Sequence, residues 1–182
     1  RAAMSRLLPA LSLALLPSFV AADDHAHSHS HTSLGAHEHG VAELNVVLDG
    51  TTLEIELHSP AMNLLGFEHP PTSEDDHRRI AAARQQLEQA DTLFGLTAAA
   101  DCRLGSSHLE SPLFNQHAHD EHHSDIQAHY HYTCDTPDAL SRLDLVGLFR
   151  AFPGTEKIQL RFIGPNGQNG ANLRPGQTAF TF

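Results

Sequence analysis

Apolar and polar residues alternate with a period of two along several stretches of this chain, and that pattern defines its first elements. Ala42, Leu44, Val46 and Leu48 interleave with Val41, Glu43, Asn45 and Val47. Asp49-Gly50 is a hairpin turn signal. A second strand follows, with Leu53, Ile55 and Leu57 inward and Glu54, Glu56 and His58 outward. Asp125 to Cys134 alternates as cleanly. Ile126, Ala128, Tyr130, Tyr132 and Cys134 share one face, and Gln127, His129, His131 and Thr133 share the other. Further short strands are expected around 100–104, 108–111, 142–149, 156–163 and 178–182, with Gly164-Pro165-Asn166-Gly167 turning the chain back.

Between these strands the period changes once. Ser73 reads as an N-cap, with Glu74, Asp75 and Asp76 favourably placed at the positive end of a helix. Ile80, Ala83, Leu87, Ala90 and Phe94 then recur at spacings of three and four, predicting one amphipathic helix from Glu74 to about Asp91. Pro60 to Pro71 reads as an apolar loop packed on the core. The expected fold is mainly β (α+β), an antiparallel β-sandwich-like domain with one inserted helix; a two-layer α+β sheet is the alternative.

The ends and one interior stretch depart from this pattern. Residues 1–22 have the form of a signal peptide: Arg1 and Arg6, a short apolar run from Leu7 to Val20, and a small-residue cleavage site at Val20-Ala21-Ala22. Residues 23–36 are polar and dotted with histidine, and are expected to be disordered. The remaining residues, 37–182, form a single domain carrying a histidine-rich loop at 115–125. After the leader no run is long and apolar enough to span a bilayer.

The net charge of −11 argues against nucleic acid, since phosphate binding needs clustered Lys and Arg. Sixteen histidines stand against two cysteines and no tryptophan. Twelve of the histidines fall in two windows, His25, His27, His29, His31, His37 and His39, and His117, His119, His122, His123, His129 and His131, with Asp120 inside the second. Neutral imidazole beside carboxylate suits Zn(II), Cu(II) and Ni(II). The tracts 25–31 and 117–123 would take several ions weakly, because closing a shell on flexible chain costs ordering entropy. The pairs His37/His39 and His129/His131 are sharper. Residues i and i+2 on a strand point the same way about 7 Å apart, so the sheet pre-orients both rings. His69 joins the candidates because prolines and apolar neighbours hold its loop. His58, His77 and His108 read as surface residues. In an exported domain Cys102 and Cys134 most simply form one disulfide, with a pair of thiolate ligands as the alternative.

Several segments resemble the zinc-regulated, histidine-rich periplasmic zinc-binding proteins, the ZrgA-like family, once catalogued as a domain of unknown function. They are His37-Glu38-His39-Gly40, the run from Ser59 through Pro60, Ala61, Asn63, Gly66 and Phe67 to Glu68 and His69, the cysteines, Tyr130-His131-Tyr132-Thr133-Cys134, and Leu148-Phe149-Arg150-Ala151-Phe152-Pro153. The resemblance implies zinc binding in a Gram-negative periplasm in support of an ABC importer, with zinc as the ion held and importer components as partners. It transfers no ligand set. Two rival readings stay open: a zinc-dependent hydrolase or hydratase, and a domain whose imidazoles sense acid.

Overall fold

The computed structural model describes residues 38–114 and 124–182. The leader, the polar tail with His25, His27, His29 and His31, residue His37, and the loop residues His117, His119, Asp120, His122 and His123 lie outside the described residues.

In chain order the elements are β1 (Val41–Asp49), β2 (Thr52–Pro60), α1 (Ala61–Leu65), α2 (Glu74–Glu88), α3 (Ala90–Leu93), β3 (Gly95–Leu96) and β4 (Cys102–Glu110). Then come β5 (Asp125–Cys134), β6 (Arg142–Asp144), α4 (Val146–Ala151), β7 (Lys157–Gly164), β8 (Gly167–Leu173) and β9 (Ala179–Thr181). The domain is mainly β, as its alternation requires. Strands β4-β5-β2-β1-β7-β8 form one six-stranded sheet, and β3-β6-β9 form a second, three-stranded one. Every neighbouring pair is antiparallel except β1 and β7, which run parallel with Val41 opposite Lys157. The large sheet is therefore mixed rather than wholly antiparallel.

The inner face of that sheet carries the core. Leu44, Val46, Leu53, Ile55, Leu57, Ala128, Tyr130, Tyr132, Ile158 and Leu160 are all buried, as their alternation predicts. Helix α2 covers them with Ile80, Ala83 and Leu87. Tyr130 is fixed there by an edge contact with Phe94 and by its hydroxyl, which donates to the Leu87 carbonyl at 2.8 Å. The small sheet joins the same core through Leu143 and Phe180, with Phe162, Phe180 and Phe182 stacked edge to face. The outer face of the large sheet remains polar.

Four local expectations change. Ala61–Leu65 is a short helix rather than loop, ended by Gly66 in the left-handed region at φ 82°. The predicted strand over 142–149 divides into β6 and α4, because Leu145, Leu148 and Phe149 bury at helical spacing. The strands expected near 100–104 and 108–111 are one strand with a break in register between Leu104 and Ser106. Strand β8 has no apolar alternation and pairs along β7 through backbone bonds. Among the described residues no helix is long and apolar enough to cross a membrane.

Cys102 and Cys134 are directly opposite on β4 and β5 and are joined by a disulfide. The bond closes a loop with a sequence separation of 32. Chain entropy assigns such a loop about 3–4 kcal/mol. Cys102→Ala/Cys134→Ala is expected to lower unfolding free energy by that amount in urea titrations, with a steeper slope because the unbridged denatured chain exposes more surface. Helix α2 opens with a capping box: the Asp76 amide donates to Ser73 Oγ, and the Asp76 carboxylate accepts from the Thr72 and Ser73 amides. Those bonds, the Thr72 amide first, pull the Asp76 carboxyl down to about 2. A depressed carboxylate stabilises the fold above its unfolded pKa of about 3.9 and loses that contribution as pH falls through the folded value. Stability measured between pH 4 and pH 2 should therefore fall less steeply in Asp76→Asn than in the parent.

Candidate metal site

The strand register builds one face of this domain into a row of metal-compatible donors. Strand β2 pairs with β5 so that Glu54 lies opposite His131 and Glu56 opposite His129. On the far side of β5, His108 of β4 lies opposite His129 and Ser106 lies opposite His131. All six project from the outer face, because Leu53, Ile55, Leu57, Tyr130 and Tyr132 occupy the inner one. Directly opposed residues on adjacent strands stand about 4.5–5.5 Å apart at Cβ. The three imidazoles and two carboxylates thus share one neighbourhood. They line a groove of about 290 Å³ together with Asn45, Val47 and Ser106. His108, His129, His131 and Glu54 are exposed, and Glu56 is half-buried.

Of these residues the sequence reading named His129 and His131. Glu54 and Glu56 were legible as outward-facing, but their pairing with the histidines depends on a register that alternation alone leaves open. His108 reads as a surface residue in the sequence, because its face depends on the pairing of β4 with β5. Among the described residues no three His, Cys, Asp or Glu side chains already converge as a metal centre would require.

The other described candidates lie elsewhere. His39 precedes β1, with Nε2 3.2 Å from Glu68 Oε1. Its ring is 54 % exposed while the carboxylate is only 9 % exposed. The contact brings together two segments far apart in the chain, and Asn63 explains how. Its side chain is buried, accepts from the Gly40 amide at 2.7 Å, and donates to the Val41 carbonyl at 2.9 Å and to Ser59 Oγ at 3.1 Å. One amide thus holds the entry to β1, the exit of β2 and helix α1 in one cluster. His69 stacks on Phe67 with centroids 4.8 Å apart, and its Nδ1 donates to the Pro70 carbonyl at 2.9 Å. In the neutral ring that leaves Nε2 as the coordinating nitrogen. His69 is therefore oriented, but it is not grouped with the sheet-face donors. The cysteines are consumed by their disulfide and are not thiolate ligands.

His58 adds a further outward histidine on β2, 3.1 Å from Asp125 Oδ2. The hydrogen bond that its ring donates to the Asp125 carboxylate raises its pKa above the ordinary imidazole value, against the opposing cost of burial; the charges of Asp125, Glu43 and Glu56 act in the same upward direction. The outer face therefore holds a band of imidazole and carboxylate from His58 to His131. Arg161 of β7 pairs with Glu43 at 3.2 Å.

Residues 36–182 match the family described as ZrgA family zinc uptake protein. The chain belongs to the ZrgA family. Membership covers the entire described domain and ties it to zinc. Two of the segments that carry the resemblance, the one ending at His39-Gly40 and the one from Ser59 to His69, are drawn together by Asn63. Comparison with curated proteins found no match.

Replacing Asn63 with alanine strands the buried Gly40 amide and removes two further bonds. A buried donor left without its partner costs about 1–3 kcal/mol. Asn63→Ala is expected to lose roughly 2–3 kcal/mol in chemical denaturation, and to release His39 from Glu68, read as a shift of the His39 ring resonances.

Proposed function

We propose that this protein is a periplasmic zinc-binding protein that captures or buffers zinc for an ABC importer, with zinc as cargo rather than as a resident cofactor. The single observation that carries this reading is the cross-strand register of β2 and β5, which sets His129 and His131 against Glu56 and Glu54 on an open sheet face. Imidazole nitrogen and carboxylate oxygen are the donors borderline divalent ions prefer, and family membership selects zinc among them. An open groove suits an ion that must be released again.

In this reading residues 1–22 export the chain. The tail histidines His25, His27, His29 and His31, and the insertion with His117, His119, Asp120, His122 and His123, collect ions weakly and raise the local zinc concentration. His37, His39 and His69 serve as further candidate donors, His39 lying against Glu68 ahead of β1. The domain then acts as a carrier and catalyses no reaction.

Calorimetric titration of zinc into the exported protein should resolve at least two affinity classes. His129→Ala/His131→Ala is expected to weaken the tighter class by about 100-fold, since direct ligands contribute no less than the 10–100-fold typical of their outer-shell partners. The weaker class should persist. An unchanged tight class in this variant would remove the sheet face from the function.

A further inference from the structure

The break in register on β4 decides which way His108 points. From Cys102 to Leu104 the strand pairs one for one with β5, Cys102 against Cys134, Arg103 against Thr133 and Leu104 against Tyr132. Gly105 is then passed over, and pairing resumes with Ser106 against His131, Ser107 against Tyr130, His108 against His129 and Leu109 against Ala128. Had one-for-one pairing continued through Gly105, Ser107 would oppose His129, and His108 would oppose Ala128, whose side chain is fully buried on the inner face. A shift of one residue exchanges the two faces of a strand. The bulge thus puts His108 on the outer face beside His129 and returns Leu109 to the core side, where it packs against the buried cluster. The bulge also lies against the groove itself: a Cβ at Gly105 would rest 3.5 Å from His131 Nδ1.

We infer that the Gly105 bulge is the device that makes His108 the third imidazole of the sheet-face site. The inference rests on the reading of that face as a zinc site and adds its nitrogen count. His108, His129 and Glu56 stand in line on three adjacent strands, with His131 and Glu54 in the next row. Three imidazoles supply the nitrogen set of an open tetrahedral zinc site, in which the fourth position stays with water or is taken by an incoming ligand. Cargo held in this way leaves by ligand exchange at that position. Glu54 and Glu56 lower the charge of the bound ion and accept hydrogen bonds from the rings. β4 is an edge strand, and a bulge there also discourages edge-to-edge pairing between molecules; the experiment separates the two roles.

The test uses the full chain, with zinc affinity measured in competition with a chromophoric chelator that masks the weak sites, and with cobalt(II) as a spectroscopic probe of coordination geometry. His108→Ala is expected to weaken the tight class by about 10–100-fold and to lower the intensity of the cobalt visible bands as water replaces nitrogen. In the His108→Ala background, Ser106→His restores both properties, because residue 106 shares the outer face and opposes His131. Ser107→His does not, because residue 107 faces the other way. Unchanged affinity and spectrum in His108→Ala would overturn the inference. So would equal rescue from both positions, or rescue from neither. If His129→Ala/His131→Ala abolishes tight binding while His108→Ala leaves it intact, the third-ligand assignment alone falls. If both variants bind as the parent does, the zinc reading of the sheet face falls with it. Far-ultraviolet circular dichroism on each variant confirms that the fold is retained.

Discussion

The placement of β2 between β1 and β5 is the constraint on which the rest of the domain depends. Leu53, Ile55 and Leu57 are almost fully buried, and the residues between them, Glu54 and Glu56, are acidic. Burying an isolated carboxylate in an apolar core is prohibitively costly, so a one-residue slip of this strand is excluded. The same alternation that fills the core therefore presents Glu54 and Glu56 outward. Tyr130 and Tyr132 set the inner face of β5 in the same manner, so His129 and His131 share the outer face with those carboxylates, and the observed register puts them directly opposite. Core packing and the donor row are two faces of a single register. The site requires no loop to arrange it.

A second consequence concerns the entry to β1. Asn63 lies in a short helix that opens on a proline and has no side-chain N-cap. It is held instead by bonds to backbone and side-chain groups on either side. That polar cluster makes neighbours of Gly40, Ser59 and Glu68. Two of the stretches in which the chain resembles its family are thus the two halves of one contact.

Strands β1, β2, β5 and β7 were legible because each is half-buried and long enough for its period to show. The helix start was legible from Ser73 and the acids behind it, through the capping box they form. The short helices escaped for an opposite reason. Five or six residues carry too little periodicity to separate a helix turn from an apolar loop, as at Ala61–Leu65, or from a strand, as at Val146–Ala151. Strand β8 was invisible because Gln168, Asn169, Gly170 and Asn172 have no buried face to advertise; the open edge of β7 recruits them. Within the donor row, His129 and His131 could be read from parity alone. Glu54 and Glu56 needed the pairing partner. His108 needed the bulge, since counting straight along β4 places it on the wrong side. Local alternation reports the face of a strand, whereas neighbours across a sheet are set by register, which is a non-local property.

The parallel pairing of β1 with β7 bears on when this sheet can form. Strand β1 lies near the start of the domain, and its second neighbour comes from beyond Lys157. Until that distant segment is available, β1 has one bare edge and Leu44 and Val46 lack half of their cover. Contacts between segments so widely separated close late, because the intervening chain must first surrender its freedom. The nascent chain therefore remains incompletely packed until the segment that forms β7 has been made.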